Sequence, residues 1–366
     1  MLRQSFRKFD KVKEIKIMKK IISLLVCLIF TLSIALCFGG CSSKTKLFVY
    51  NVGDYIHPDV IEMFENEYPD IKVVYELFDS VEEMYMKVSN CTSPYDVVIP
   101  SDYMIEQMRN EGMLNKINFE NVPNYKNIDS NMKNLSFDPT NEYAVPYMWG
   151  TIGILYNKTM VDDPVDSWDI LWNEKYKGEI FMLNQERDMV SIALKKCGYS
   201  MNSDNDKELK EAEKILKEQN PLVKAYCGDE IKDNMINGNG ALAIVWSGDA
   251  YFCIEQNPDL AFAIPNEGTN LWFDCMVIPT TSTHQKEAEM FIDFMSRPDI
   301  AKLNAEYIGY STANAKGRDM LDDSVKNDKL RYPELDEEFM SKMEIFAYNK
   351  ERNSKLTEIW TRVLNS

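Results

Sequence analysis

The sequence predicts an α/β protein of two lobes, each a mostly parallel sheet flanked by helices. Three observations carry this. Strand-like and helix-like runs alternate between residues 46 and 100. A second alternating region follows Gly150, and neither a Gly/Ser linker nor an internal repeat separates the two. With 366 residues, 45% of them hydrophobic, the chain is long enough for two modest cores.

Residues 46–50 form a β-branched and aromatic run. Residues 58–68 place Val60, Ile61 and Phe64 at helical spacing, with Pro58 suited to a first turn. Residues 71–77 read as a strand, 81–90 as a helix and 95–99 as a third strand stopped by Pro100. This βαβαβ order predicts a parallel sheet, in which ligands bind beyond the carboxyl ends of strands. In the second region, 152–156, 241–246, 262–265 and 271–278 read as strands, and 207–217 and 286–296 as helices. Chain crossings, rather than a linker, are expected to join the lobes.

The N-terminus has a different character. Residues 21–38 carry no charge, follow Lys19 and Lys20, and precede Gly39, Gly40 and Cys41. A basic start, an apolar run and small residues before a cysteine predict a lipoprotein signal, with Cys41 acylated and residues 42–44 a tether. An uncleaved membrane anchor is the rival reading of that apolar run. Met18-Lys-Lys20 is itself a normal signal start, so residues 1–17 read as a start-site extension. The formal net charge is -17. Eight Lys/Arg and two Asp/Glu give the first 40 residues +6, leaving -17 - 6 = -23 for the rest. Such a body is a poor match for nucleic acid and attracts cations.

No catalytic signature stands out. His57 and His284 are the two histidines, and no H-E-x-x-H, G-x-S-x-G or P-loop is present. Gly238-Asn-Gly-Ala-Leu-Ala243 spells a dinucleotide fingerprint, but a strand follows where a helix should, so turn residues are expected. The acids and amides of 202–206 read as a helix N-cap cluster rather than a calcium loop, because Lys207 stands where that loop requires glycine. Cys91, Cys197, Cys227, Cys253 and Cys275 have no C-x-x-C spacing, so neither a disulfide framework nor a zinc site is expected. Cys253 and Cys275 read as core filler. No cofactor or metal is expected.

The informative run is Leu271-Trp-Phe-Asp-Cys275. Alternate strand residues share a face, so Trp272 and Asp274 project together. A carboxylate beside an indole suits an alkylammonium, which donates a charge-assisted hydrogen bond to the one and makes a cation–π contact with the other. Acids, hydroxyls and aromatics recur at strand ends: Asp54 and Tyr55, Ser101 and Tyr103, Trp246, and Tyr310.

Several blocks in order now resemble the spermidine/putrescine-binding proteins of bacterial ABC importers: Tyr50-Asn-Val-Gly-Asp-Tyr55, Val98-Ile-Pro-Ser-Asp-Tyr103, Val145-Pro-Tyr-Met-Trp-Gly150, Leu171-Trp-Asn-Glu-Lys-Tyr176, Leu271-Trp-Phe-Asp274 and Ile308-Gly-Tyr-Ser-Thr312. The resemblance implies a type II periplasmic-binding-protein fold, with residues 46–151 and 272–317 in one lobe and 152–271 and 318–366 in the other, after a signal region 1–40 and a lipidated tether 41–45. It implies a polyamine in an inter-lobe cleft, contacted by Asp54, Tyr55, Ser101, Tyr103, Trp246, Trp272, Asp274 and Tyr310. Asp188 matches a position usually held by glutamate. Two departures stand out: Val52 replaces a tryptophan, and Gln185 lies where some members place an acid. The expected product is a monomeric, lipid-anchored, extracytoplasmic receptor that hands polyamine to an ABC permease and is not an enzyme. Rival readings are a receptor for another cationic or amino-acid solute, a secreted hydrolase with paired acids, and an adhesion lipoprotein.

Overall fold

The computed structural model describes residues 44–90 and 94–366. The expected signal, the expected lipidation site Cys41, and Cys91 lie outside the described residues. Among the described residues no helix is long and apolar enough to cross a membrane.

The chain builds β1 (Thr45–Val52), α1 (Pro58–Glu67), β2 (Ile71–Phe78), α2 (Val81–Ser89), β3 (Val97–Val98) and α3 (Asp102–Asn110). The first helix starts as anticipated, with Pro58 in its first turn and the His57 ring accepting the Asp59 N–H. The third strand is shorter than its apolar run predicts. Asp96, in that run but before the strand, is buried and accepts from the Phe48 N–H at 2.9 Å and the Ser282 hydroxyl at 2.7 Å.

The long strand β4 (Ala144–Asn157) is almost wholly buried. Only its second half reads as strand in the sequence. Its first half lacks alternation because both faces are covered, and Pro146 sits beside a register shift. Then come β5 (Ile180–Leu183), α4 (Glu186–Lys196), α5 (Asp206–Gln219), β6 (Val223–Cys227), α6 (Glu230–Ile236), β7 (Leu242–Trp246) and α7 (Ser247–Gln256). As expected, the Asn205 side chain caps α5 by accepting the Lys207 N–H. Gly238 is a left-handed turn residue before β7. The strand expected at 262–265 lies slightly earlier, as β8 (Leu260–Ala263). It is followed by β9 (Leu271–Val277), α8 (Gln285–Met295), α9 (Pro298–Ile308), β10 (Ser311–Thr312) and, after short helical turns, a C-terminal helix at Lys350–Leu364.

The strands follow the order β2-β1-β3-β9-β4-β7-β5-β6, with β8 and β10 also paired to β4. The parallel order holds towards both ends, in β1 with β3 and in β5 with β6 and β7. The centre differs from the predicted pattern: β4 runs antiparallel to β7, β8, β9 and β10. Crossing strands cause this. Up to Thr151, β4 pairs with β9; from Ile152 it pairs with β7. One strand therefore belongs to two sheet halves and joins them. Cys253 and Cys275 are buried in the core as expected, and the described cysteines are free thiols.

Candidate ligand-binding site

A cavity of about 370 Å3 opens where several strand ends meet. All nine predicted residues line it: Asp54 and Tyr55 after β1, Ser101 and Tyr103 after β3, Asp188 on α4, Trp246 at the end of β7, Trp272 and Asp274 on β9, and Tyr310 before β10. These nine come from six separate stretches of sequence, and the topology brings them together because α/β sheets gather loops at their carboxyl ends.

Asp274 is the best-held acid. The Tyr55 phenol donates to it at 2.6 Å and the Ser101 hydroxyl at 2.7 Å. Ser101 is the N-cap residue of α3 yet makes no capping bond with its side chain, which leaves its hydroxyl for Asp274. Tyr55 is fixed in turn: its carbonyl accepts from the Tyr147 phenol at 3.0 Å and from the Asn51 amide. Asp274 opens to the cavity but is enclosed by protein, and this desolvation raises its pKa although both hydroxyls oppose the rise. Its strand neighbour Phe273 points the other way and is fully buried beside Phe137, as the alternation on β9 requires.

The rings form a connected wall. Tyr310 meets Trp272 edge-on, with centroids 5.1 Å apart, and meets Tyr55 at 5.8 Å. Gly309 ends α9 at φ 83°, a left-handed turn that aims Tyr310 inward. Gly248 makes room for it: a Cβ there would lie 1.9 Å from Cδ1 of Tyr310. Gly150 does the same for Trp272, whose Cζ2 would be 2.5 Å from an added Cβ. Asp54 adopts φ 54°, which Asp tolerates better than most residues.

Val52 lines the cavity, so one expected indole is absent from the wall; Phe78 and Phe346 contribute rings to the same lining. Gln185 also lines it, before α4. Asp188, in the first turn of α4, is pushed up to about 7 by burial, against the lowering influence of Arg187.

Other residues line the cavity besides these nine, among them Asp102, the acid of the strand-end run Ser101-Asp-Tyr103. Asp102 is buried, accepts the N–H groups of Tyr103 at 2.6 Å and Phe273 at 3.0 Å, and is pushed up to about 8 by burial. Arg187 stacks its guanidinium 3.3 Å from the centre of the Tyr103 ring and pairs with Glu82 at 3.3 Å. Lys232 stands between Asp249 and Asp229. For Asp249 a signal existed, since it directly follows the Trp246-Ser-Gly248 strand end. For Lys232 and Arg187 none did, because charged helix residues ordinarily read as a solvated face. The lining carries eight Asp or Glu side chains against two cations, Arg187 and Lys232.

A serine, a histidine and an aspartate do meet elsewhere, but Ser282 and His284 both turn their side chains to Asp96, which is not the serine-to-histidine order an activated nucleophile needs. An acidic, aromatic cavity at the strand ends of two strand-linked sheet halves defines a solute-binding protein. The chain belongs to the bacterial extracellular solute-binding protein family, whose model matches residues 59–333. It is 36% identical over 307 residues to the spermidine/putrescine-binding periplasmic protein of Escherichia coli, covering 83% of this chain and 88% of that one. It is 33% identical to the putrescine-binding periplasmic protein SpuD of Pseudomonas aeruginosa, covering 87% and 91%. The structure also superimposes on the spermidine/putrescine ABC transporter substrate-binding protein PotD of Streptococcus pneumoniae, with a TM-score of 0.80, 39% identity, and 88% and 99% coverage. These relatives are binding proteins of transporters, not enzymes.

Proposed function

We propose that this protein captures a polyamine in the cavity and presents it to an ABC permease at the outer face of the cell membrane. The observation that carries the reading is Asp274, held by Tyr55 and Ser101 beside the Trp272 ring in an acidic cavity. An alkylammonium satisfies both groups, and its methylenes suit the rings of Trp246, Trp272 and Tyr310. Asp188 takes a second ammonium. Asp54 and Tyr103 complete the contacts.

In this reading residues 46–151 with 272–317 form one lobe and 152–271 with 318–366 the other, and the ligand lies between them. The change of β4 partner between Thr151 and Ile152 supports that boundary. Closure bends the chain near Gly150 and Phe273, and the permease reads the closed form. The lipid on Cys41 keeps a monomeric receptor beside its permease. Cys41→Ala is expected to release the protein from membranes.

Titration calorimetry with spermidine and putrescine, run beside a thermal-shift panel of amino acids, tests the ligand. Binding of either polyamine supports the reading. A response to an amino acid alone favours the second reading, a receptor for another small solute, which Val52 motivates by thinning the aromatic wall.

A further inference from the structure

The cavity contains an ammonium of its own. Lys232, on α6, lines it with about a quarter of its side chain exposed. Its Nζ lies 3.5 Å from Oδ1 of Asp249 and 3.7 Å from Oδ1 of Asp229. Asp249, in the first turn of α7, is itself largely buried and close enough to the Tyr310 phenol for its charge to add to the rise that burial gives the phenol's pKa. Tyr310 packs edge-on against Trp272. One phenol thus separates the Lys232 pair from the indole and carboxylate that face the ligand.

We infer that Lys232 is a specificity-determining residue: its ammonium takes the place of a third ligand ammonium and makes the cavity select diamines over triamines. The inference rests on the polyamine reading given above and names the substrate class within it. The carboxylates explain why. Among the described residues, Asp274 and Asp188 make no ion pair with a Lys or Arg; Asp274 is met by two hydroxyls, and Asp188 feels Arg187 only through its charge. Asp102 is turned to backbone N–H groups. Asp249 already holds an ammonium. Of the four lining acids that are not exposed, Asp274 and Asp188 are therefore open to ligand ammoniums, Asp102 is occupied by backbone N–H groups, and Asp249 is matched from within the chain.

A triamine's extra ammonium finds the Asp249 carboxylate already neutralised by Lys232 and meets a like charge where it would otherwise meet a free acid, so it loses the attraction that would balance its desolvation. Lys232 does not escape by losing its proton. Burial opposes its charge, yet Asp249 and Asp229 hold its pKa above the ordinary lysine value.

The experiment compares putrescine and spermidine affinities by calorimetry at low salt for the wild-type protein, Lys232→Met and Lys232→Arg. Removing the charge is expected to raise the spermidine-to-putrescine affinity ratio at least about tenfold, the scale of one modest charge contact. Lys232→Arg, which keeps the charge, is expected to keep the wild-type order. An unmoved ratio in Lys232→Met, or an equal shift in Lys232→Arg, overturns the inference and leaves Lys232 as a packing residue. Should Lys232→Met fail to fold, Lys232→Gln removes the same charge and is read the same way. A wild-type protein that binds neither amine overturns the polyamine reading and this inference with it. Binding with an unmoved ratio overturns the inference alone.

Discussion

Single residues decide the chemistry of the cavity. Asp274 gathers two hydroxyls and faces an indole, so Asp274→Ala should weaken polyamine binding by at least about 1.5–3 kcal/mol, the scale of a charged hydrogen bond. Calorimetry checks this, and an unchanged affinity removes Asp274 from the site. Asp188 makes binding depend on pH. Without ligand its pKa stands near 7 because burial penalises the charge. A bound ammonium favours the ionised form, so binding expels a proton and affinity should rise as pH climbs from about 6 to 8, while an alkylamine of lysine-like pKa, about 10.4, stays charged. Calorimetry in buffers of different ionisation heat measures the released proton, and Asp188→Asn should flatten the profile. Trp272 and Asp274 were legible in the sequence because strand periodicity alone puts them on one face. Lys232 and Arg187 were not, since their partners, Asp249 and Glu82, lie 17 and 105 residues away and only folding reveals the pairs.

At the scale of elements, turns and close approaches hold the rings in place. A methyl on Gly248 would collide with the Tyr310 ring, so Gly248→Ala should either displace Tyr310 or cost about 1–3 kcal/mol of stability, the usual range for overpacking. Thermal melting and polyamine titration on the same variant separate the two, and a variant unchanged in both would show that Tyr310 yields freely. Element existence was largely readable: α1, β2, α2, α5 and α8 fall within a residue or two of their patterns. The failures share a cause. Residues 144–151 of β4 lie in the middle of the sheet, where burial on both faces erases alternation, and β3 also lies inside the sheet, where an apolar run marks burial without marking how far the ladder extends. The antiparallel centre was illegible for a related reason: pattern reports that a segment is a strand, while direction depends on which distant strand it meets. The strand ends, by contrast, carried acids and aromatics that core packing does not explain, and that is why the site was more legible than the sheet.

The whole molecule carries a net charge of -17, so capture of a polycation should be steered, with association slowing as salt is raised from about 0.01 to 0.15 M. Stopped-flow measurements across that range check it. Asp102 and Asp188, pushed up to about 8 and about 7, couple the cavity to global stability. Both sit above the unfolded value of about 3.9, so the folded chain holds protons that the unfolded chain releases. Their contribution is complete below about pH 4 and is lost as pH rises through 7 and 8. Glu213, held down to about 2 chiefly by the Arg362 hydrogen bond, acts in the opposite sense, but only below about pH 4.5. The ligand-free protein should therefore melt lower at pH 8 than at pH 6, with Asp102→Asn and Asp188→Asn narrowing the gap in calorimetric scans. The edge-on contact of Tyr310 with Trp272 has an optical consequence. Of six tryptophans, Trp246 and Trp272 line the cavity, so their emission senses whatever enters it. Intrinsic fluorescence becomes a label-free gauge of occupancy, and Trp272→Phe should dim that signal while leaving the glow of the deeply packed Trp168 unaltered.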